Sequence, residues 1–409
     1  MATAASPNLH FTAAHACDGT GGVQEGARLA GVLHLFDPHT LSPADEAKWD
    51  ALGRARSGDN VFAEPWMMRL SLAHCAPAGG AVRLAVVIDD RGDWLGVLPL
   101  IERRRHGRAL WPNLAVWTHS NQFNAAPLLR HGSEPAFWRA LLTGLDRQGG
   151  AAVSLCLTDL AEDDPACSAL AEVCREQGRD WRIDRRMARA CLIGDAGLAV
   201  RAEAAFRSKY RRRLASLERQ LEREHGPLTL RSTRDAQEIS GLIATFLSLE
   251  AAGWKGVAGS ALDRADATRD FFTAAARAAA ARGRFEISWL ELGGAPVAMT
   301  TQFIGPQWSC GFKRAHDERF ARFAPGQLHL KHLTQHLCAQ GGPHFDSSAA
   351  PDQEAINRMW PDRRAFIDCH LAIGGPLHRL AHRALCAVQG AFHAIKGRRA
   401  AAPAIPQQA

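Results

Sequence analysis

Acidic, basic and aromatic residues that could take part in chemistry are concentrated between Glu250 and Asp346. Glu250, Trp254 and Lys255 stand together in the segment LEAAGWKG. An exposed aromatic side chain beside a charge is a common binding element. The glycine before the tryptophan also suits an ordinary helix C-cap, with the tryptophan in the core and the lysine in solvent. Both interpretations remain open at this stage.

A second group of polar residues follows the third strand-like run of this region. Lys313, His316 and Asp317 occur in the segment GFKRAHDE. Histidine titrates near neutral pH and can act as a base, although solvated turn charges are the alternative interpretation. Asp346 ends the run HFD. A carboxylate at the carboxyl end of a strand is well placed for a site, or it caps its own loop.

The elements that must position these residues follow from hydrophobic periodicity. In the first half, the pattern predicts helices within 45–73 and at 134–148 and 165–177, with strands at 82–88, 94–101, 152–157 and 188–193. In the second half, it predicts helices at 202–224, 235–252, 267–281 and 327–339, with strands at 228–231, 285–292, 296–304 and 307–313. Each half contains helices, a hairpin, a strand, a helix and a further strand, which indicates two lobes of one fold.

Length and composition limit the class of protein. A chain of 409 residues accommodates two or three domains. It has no apolar run long enough to span a membrane, and residues 1–31 lack the pattern of a secretory signal. Its ten cysteines include no Cys-x-x-Cys pair, which fits reduced thiols in a cytoplasm. We therefore expect a cytoplasmic protein with a disordered N-terminus.

The net charge of +7 is partly local, because residues 201–226 carry eight Lys or Arg against four Glu. Such a segment favours phosphates, nucleic acid or an acidic membrane surface, and a solvated helix face is the plain alternative. A second basic, helix-like segment covers residues 377–399. We expect it to dock on the second lobe, with peripheral contact to a membrane as the alternative.

The combination of these motifs resembles a known family. The segments FLSLEAAGWKG, GRFEISWLELGGAPVAMTTQF, GFKRAHDERFARFAPGQL and FDSSAAPDQEAINRMWPDRR are similar to the acetyltransferase domain of cellulose-biosynthesis (CelD-like) proteins, within the GNAT superfamily. The chain also resembles the Fem-type aminoacyl transferases, which carry two GNAT lobes in tandem. The resemblance implies an α/β fold of tandem GNAT-like lobes, each with a mixed, mostly antiparallel sheet flanked by helices. We place the lobes at 32–197 and 198–374, followed by a basic C-terminal helix and tail at 375–409.

The resemblance also implies an activity and a set of roles. The activity is N-acyl transfer from acetyl-CoA to an amine, on an amino sugar or a polysaccharide precursor. Such a reaction needs a base and donors for the developing oxyanion, and the donor phosphates suit a helix N-terminus. The roles implied are catalysis by Glu250, His316 and Asp346, substrate binding by Trp254, Lys255, Lys313 and Asp317, and cofactor binding by Pro325, Gly326 and Gln327.

One departure from the family pattern keeps alternatives open. Many GNAT proteins have a longer glycine-rich phosphate loop than RFAPGQLHL, which contains a single glycine. A Fem-like transferase that uses aminoacyl-tRNA is the first alternative, with the basic helix as the tRNA contact, and a non-catalytic accessory protein is the second. His329, His332 and His336 have helical spacing, but no carboxylate or cysteine completes a ligand set, so we expect no metal.

Overall fold

The computed structural model describes residues 31–77, 81–106 and 109–400, with side chains as far as residue 390. Within these ranges a single 13-stranded mixed sheet runs through both halves of the chain, in the order β1-β2-β3-β4-β6-β13-β7-β12-β11-β10-β9-β8, with β5 paired to β3. The predicted disordered N-terminus lies outside the described residues, apart from Gly31, which begins β1.

The described residues of the first lobe form seven strands and four α-helices. Its strands are β1 (Gly31–Phe36), β2 (Val82–Asp89), β3 (Trp94–His106), β4 (Ala109–Val116), β5 (Leu128–Leu129), β6 (Ser154–Ala161) and β7 (Trp181–Leu192). Its helices are α1 (Pro43–Arg54), α2 (Pro65–Cys75), α3 (Glu134–Gln148) and α4 (Pro165–Glu176). Local signals explain the helix starts: Ser42 and Asp45 form a capping box for α1, and the Asp164 carboxylate caps α4.

The second lobe and the C-terminal helix contain the remaining elements. Its helices are α5 (Leu198–Ala205), α6 (Ser208–His225), α7 (Ala236–Ala252), α8 (Trp254–Val257), α9 (Asp266–Ala280), α10 (Pro325–Gln340), α11 (Glu354–Asn357) and α12 (Pro376–Ala400). Its strands are β8 (Leu228–Thr233), β9 (Phe285–Leu292), β10 (Ala295–Phe303), β11 (Trp308–His316), β12 (His344–Asp346) and β13 (Asp362–Ala372). The turn between β9 and β10 uses Gly293 and Gly294 at φ 57° and 81°, which favours glycine at both positions.

The two lobes share strands and core residues. β13, from the end of the chain, pairs with β6 and β7 of the first lobe, and β7 pairs with β12 of the second. Phe62 of the first lobe packs in the aromatic core of the second lobe, 6.3 Å from the ring centre of Phe303. Arg284 also reaches across to the Glu64 carboxylate at 2.6 Å. The predicted boundary near residue 197 therefore separates two halves of the chain whose strands form one sheet.

Several features differ from the expectations. β1, β4, β5 and β13 were not predicted, and the predicted helix at 202–224 is two helices interrupted before Ser208. The C-terminal helix docks on both lobes and not on the second alone. α12 packs on β13 of the second lobe and also contacts the first lobe, where Arg379 pairs with Asp146 at 2.9 Å and Arg383 with Asp180 at 2.6 Å. None of the helices in the described ranges combines the length and apolar character of a membrane span.

Candidate active site between the lobes

The turn from α7 to α8 is held in place by Glu250. Its carboxylate is buried and accepts two hydrogen bonds, from the Lys255 ammonium at 2.8 Å and from the Leu262 backbone N–H at 2.8 Å. Lys255 also donates to the carbonyl of Arg314 on β11, at 2.7 Å. Since both oxygens of Glu250 are engaged, this carboxylate positions Lys255 against β11 and is not free to act as a base in this arrangement.

Trp254 and His316 lie on the outer side of the same turn. The Trp254 side chain is 58% exposed, and its backbone N–H donates to the Glu318 carboxylate at 3.2 Å. The same carboxylate oxygen lies 3.4 Å from Nε2 of His316, which is half-buried at the end of β11. The predicted aromatic platform and the predicted base therefore share one acidic neighbour.

Asp317 has a mainly local role. Its carboxylate accepts from the backbone N–H and the guanidinium of Arg319, and it caps a short 3₁₀ helix at Glu318–Phe323. The Arg319 side chain lowers the pKa of this carboxyl below its usual value. The geometry is that of a capping residue beside the site, and substrate binding by Asp317 stays a prediction.

Helix α10 begins directly beside His316. Ala324 adopts the left-handed conformation, with φ 54° and ψ 54°, and Pro325 takes the first helical position, as the sequence predicts. A Cβ atom on Gly326 would lie 3.3 Å from Nδ1 of His316, which is a tight contact. Glycine therefore leaves the space between the helix start and His316 open. Gln327 accepts a hydrogen bond from the Tyr210 hydroxyl at 2.9 Å, which ties the first turn to α6.

β11 separates from β12 next to this helix start. The two strands pair in parallel only from Trp308 to Cys310, and β11 then continues to His316 without pairing to β12. β11 beyond Cys310 therefore has no partner on β12, and its end at His316 adjoins the first turn of α10. In that turn Pro325 has no N–H and Gln327 donates to the Ala324 carbonyl at 2.9 Å, so the N–H of Gly326 is the donor that has no acceptor among the described residues. An amide-containing chain can pair with a strand edge, and an anion suits the helix N-terminus.

Lys313 lies where the two lobes meet. Its ammonium is 5.6 Å from the ring centres of both Phe312 and Phe123, the latter from the first lobe. Burial and the charge of Lys255 lower the pKa of Lys313 to about 8, against an opposing contribution from Glu250. At neutral pH the Lys313 ammonium is therefore a largely desolvated positive charge. Such charges occur where a protein binds an anion or stabilises a negative charge that develops during a reaction.

The first lobe contributes a histidine that sequence reasoning missed. His119 lies 3.2 Å from the Ser71 hydroxyl and packs edge-on against Phe271 at 4.7 Å. Burial and the nearby charge of Lys313 lower the pKa of His119 to about 4, so its ring is neutral at physiological pH. No local motif marks His119, and its link to Lys313 exists only because the lobes pack together.

Asp346 lies in a different environment from the other candidates. Its buried carboxylate pairs with Arg189 of β7 at 3.0 Å and lies 3.8 Å from Arg364 of β13. Its second oxygen accepts from the Ser348 backbone N–H at 2.9 Å. Its partners come from the central strands and not from the α7–α8 turn, which is the arrangement of a structural ion cluster.

Two of the three histidines of α10, His329 and His332, have separate partners. His329 is buried between the hydroxyls of Ser288, at 3.2 Å, and Thr300, at 3.1 Å, and burial lowers its pKa to about 3. His332 instead contacts Glu218 on α6. These histidines therefore do not face a common point.

Comparison with protein families identifies the domain that carries most of these residues. Residues 208–354 match the family model described as the acetyltransferase (GNAT) domain. This segment, less than half of the chain, is thus similar to a GNAT acetyltransferase domain. The match supports an enzyme that transfers an acyl group to an amine. Comparison with curated protein sequences returns no significant match.

Several solved structures are similar to this chain over most of its length. FemX matches with a TM-score of 0.50 and 11% identity, covering 82% of this chain and 98% of FemX, and this likeness shows the fold. L-PGS from Bacillus licheniformis has a TM-score of 0.46 and 16% identity, covering 87% of this chain and 97% of its own. A tandem GNAT protein from the clavulanic acid biosynthesis pathway has a TM-score of 0.41 and 16% identity, covering 84% and 99%. The predicted α/β fold, with a mixed sheet flanked by helices, is confirmed by the described strands and helices and by the likeness to FemX.

Proposed function

We propose that the protein transfers an acyl group from acetyl-CoA to a primary amine, on an amino sugar or a polysaccharide precursor. The observation that carries the proposal is the length of β11 that continues past its pairing with β12 and ends beside the start of α10. The amide-containing arm of the donor would pair with β11, and its phosphates would lie at the first turn of α10. The thioester would then point toward the end of β11.

Each residue around that point has a separate proposed role in acyl transfer. His316 is the proposed base, because it is half-buried, adjoins Gly326 and lies at the end of β11. Lys255 and Lys313 would hold negative charge on the acceptor or on the tetrahedral intermediate. Glu250 would position Lys255 through its ion pair. Trp254 would offer an exposed face to a sugar or a similar acceptor.

A basic cavity favours a different acyl donor as the alternative. A cavity of about 920 Å³ lies between the α5–α6 junction and the segment leading into β13. Six cationic side chains and one carboxylate contribute to its lining: Arg201, Arg207, Lys209, Arg213, Arg358, Arg363 and Asp362. Phosphates would be attracted to such a surface, so aminoacyl-tRNA is the alternative donor. The accessory-protein alternative requires that neither donor binds.

Ligand-dependent melting of the full chain separates these proposals. Acetyl-CoA at about 100 times its dissociation constant would stabilise the folded state by about 2.7 kcal/mol, and the melting temperature would rise. Gly326→Trp would abolish this rise, because the new side chain fills the approach to α10. Gly241→Trp, at an exposed glycine of α7 with open space around it, is the matched control and would retain it.

The outcomes distinguish the three functions. A melting shift by acetyl-CoA that Gly326→Trp removes, together with thiol release in the presence of an amine, supports the first proposal. Binding of tRNA that weakens steeply with salt, without any response to acetyl-CoA, supports the second. The absence of a response to either donor overturns both transferase proposals.

A further inference from the structure

The C-terminal helix packs on β13 and on the first lobe with few apolar contacts. Among the described side chains of α12, those of His382 and Cys386 are the buried ones. Three of its apolar residues face outward, with Leu377 79%, Leu380 63% and Val388 68% exposed, whereas Leu385 is half-buried in a small cluster with Trp111 and Val153. The most deeply buried side chains that α12 presents to the sheet are therefore potential metal ligands.

Three ligand atoms converge where α12 crosses β13. His370 on β13 places its Nε2 atom 3.4 Å from the Sγ atom of Cys386. Both ring nitrogens of His382 lie 3.8 Å from the same sulfur, one helical turn before it. All three residues are buried, and their ligand atoms lie within 4.8 Å of one another.

These separations suit a tetrahedral metal centre. Zinc binds imidazole nitrogen at about 2.0–2.1 Å and thiolate sulfur at about 2.3 Å, so a nitrogen–sulfur edge of the tetrahedron measures about 3.6 Å. The distances from Sγ of Cys386 to the two histidines lie on either side of that value. Two imidazoles with one thiolate also form a donor set that suits zinc.

A carboxylate orients one of the histidine ligands. Nδ1 of His370 lies 2.8 Å from the Asp184 carboxylate, which leaves its Nε2 directed at Cys386. Asp184 is in turn held by His106, at 3.2 Å. Zinc-binding histidines commonly donate their other ring N–H to a carboxylate in this way.

His382 provides an independent reason to expect a ligand. Its side chain is fully buried, and within the described residues the sulfur of Cys386 is its hydrogen-bond partner. A thiol is a weak partner for a buried imidazole, and burying a polar ring without a good partner is costly. Coordination of a metal ion would satisfy this ring.

We propose that His370, His382 and Cys386 bind a zinc ion that fastens α12 to β13 of the central sheet. Binding replaces the thiol proton of Cys386, which is released to solvent, and leaves both histidines neutral. With three protein ligands, the fourth position is available to water. The ion acts as a structural link between the C-terminal helix and the sheet, so the proposal does not depend on the donor or acceptor of the acyl-transfer reaction.

The test uses the full-length protein. After growth with zinc and extensive dialysis, elemental analysis is expected to find about one zinc ion per chain. Replacement by Co²⁺ is expected to produce a sulfur-to-metal absorption band in the near ultraviolet. A strong chelator is expected to lower the melting temperature, and added zinc to restore it.

Variants identify the ligands. Cys386→Ser and His370→Gln would each lose the zinc and the cobalt band, and their melting temperatures would no longer respond to chelator. Cys338→Ser, at a half-buried thiol on α10, is the matched control and would retain all three properties. Far-ultraviolet circular dichroism checks that each variant is folded. Wild-type protein that binds no zinc, and whose melting is insensitive to zinc and chelator, would overturn the proposal without reference to any variant.

Discussion

Substitution of Lys313 tests the site most directly, because burial of its positive charge lowers the stability of the folded protein. Its ammonium is largely buried, and its pKa falls from 10.5 to about 8, chiefly through burial. Within the described residues, no carboxylate lies within ion-pair distance of it. Replacing Lys313 by Met keeps an unbranched side chain of similar length and removes the charge.

The sign of the effect follows from proton linkage. The unfolded chain keeps the Lys313 proton up to a pH of about 10.5, whereas the folded protein releases it at about 8. Between these values unfolding takes up a proton, so the stability of the wild type rises with pH. The rise amounts to about 3 kcal/mol, since each tenfold change in proton affinity is worth about 1.4 kcal/mol. Lys313→Met removes this rise and is more stable than the wild type at neutral pH by about 1–3 kcal/mol.

Urea unfolding followed by tryptophan fluorescence, at a series of pH values from neutral to about 10.5, measures the difference between variant and wild type. Other titrating groups cancel in that difference. Lys209→Met, at an exposed lysine of α6, is the control and should leave the pH dependence unchanged. Parallel curves for the wild type and Lys313→Met would refute the reasoning. The same variant should lose acyl transfer, since a buried charge retained against stability is expected at a functional site.

Three further substitutions test the roles assigned to the other candidates. His316→Gln is expected to lower acyl transfer at least ~100-fold while leaving the melting temperature unchanged; a wild-type rate would remove it as the base. Glu250→Gln is expected to destabilise the fold by about 3 kcal/mol by leaving the Lys255 ammonium without its counter-charge, and unchanged urea unfolding would contradict this. Asp346→Asn is expected to cost about 3–5 kcal/mol because Arg189 would remain buried without its carboxylate, whereas Arg364 keeps its pair with Asp163 at 3.1 Å. A folded, stable Asp346→Asn protein with transfer lowered at least ~100-fold would instead restore its predicted catalytic role.

Local elements were predictable where periodicity and caps agree. The predicted helix at 134–148 coincides with α3, and the predicted helix at 235–252 differs from α7 only by its capping residue Asp235. The glycine-turn hairpin of β9 and β10 was predicted for the same reason. β13 was not predicted, because it lies at the centre of the sheet and pairs with β6 and β7, which are distant in the sequence.

The site was predictable as a set of segments but not as a geometry. The α7–α8 turn, the end of β11 and the start of α10 do come together, around Lys255, His316 and Gly326. The contributions of His119 and Asp184 had no local signal, because a lone histidine or aspartate carries none. Sequence patterns also do not show whether a carboxylate is already neutralised, as those of Glu250 and Asp346 are.

The amino-acid sequence by itself determined the elements, their order and the tandem plan, because hydrophobic periodicity, caps and glycine turns act over a few residues. The tertiary structure alone decided which charged side chains are paired, which are buried and which meet across the lobes. Burial and pairing arise from contacts between distant parts of the chain, and these contacts set the low pKa of Lys313 and bring His370 to Cys386.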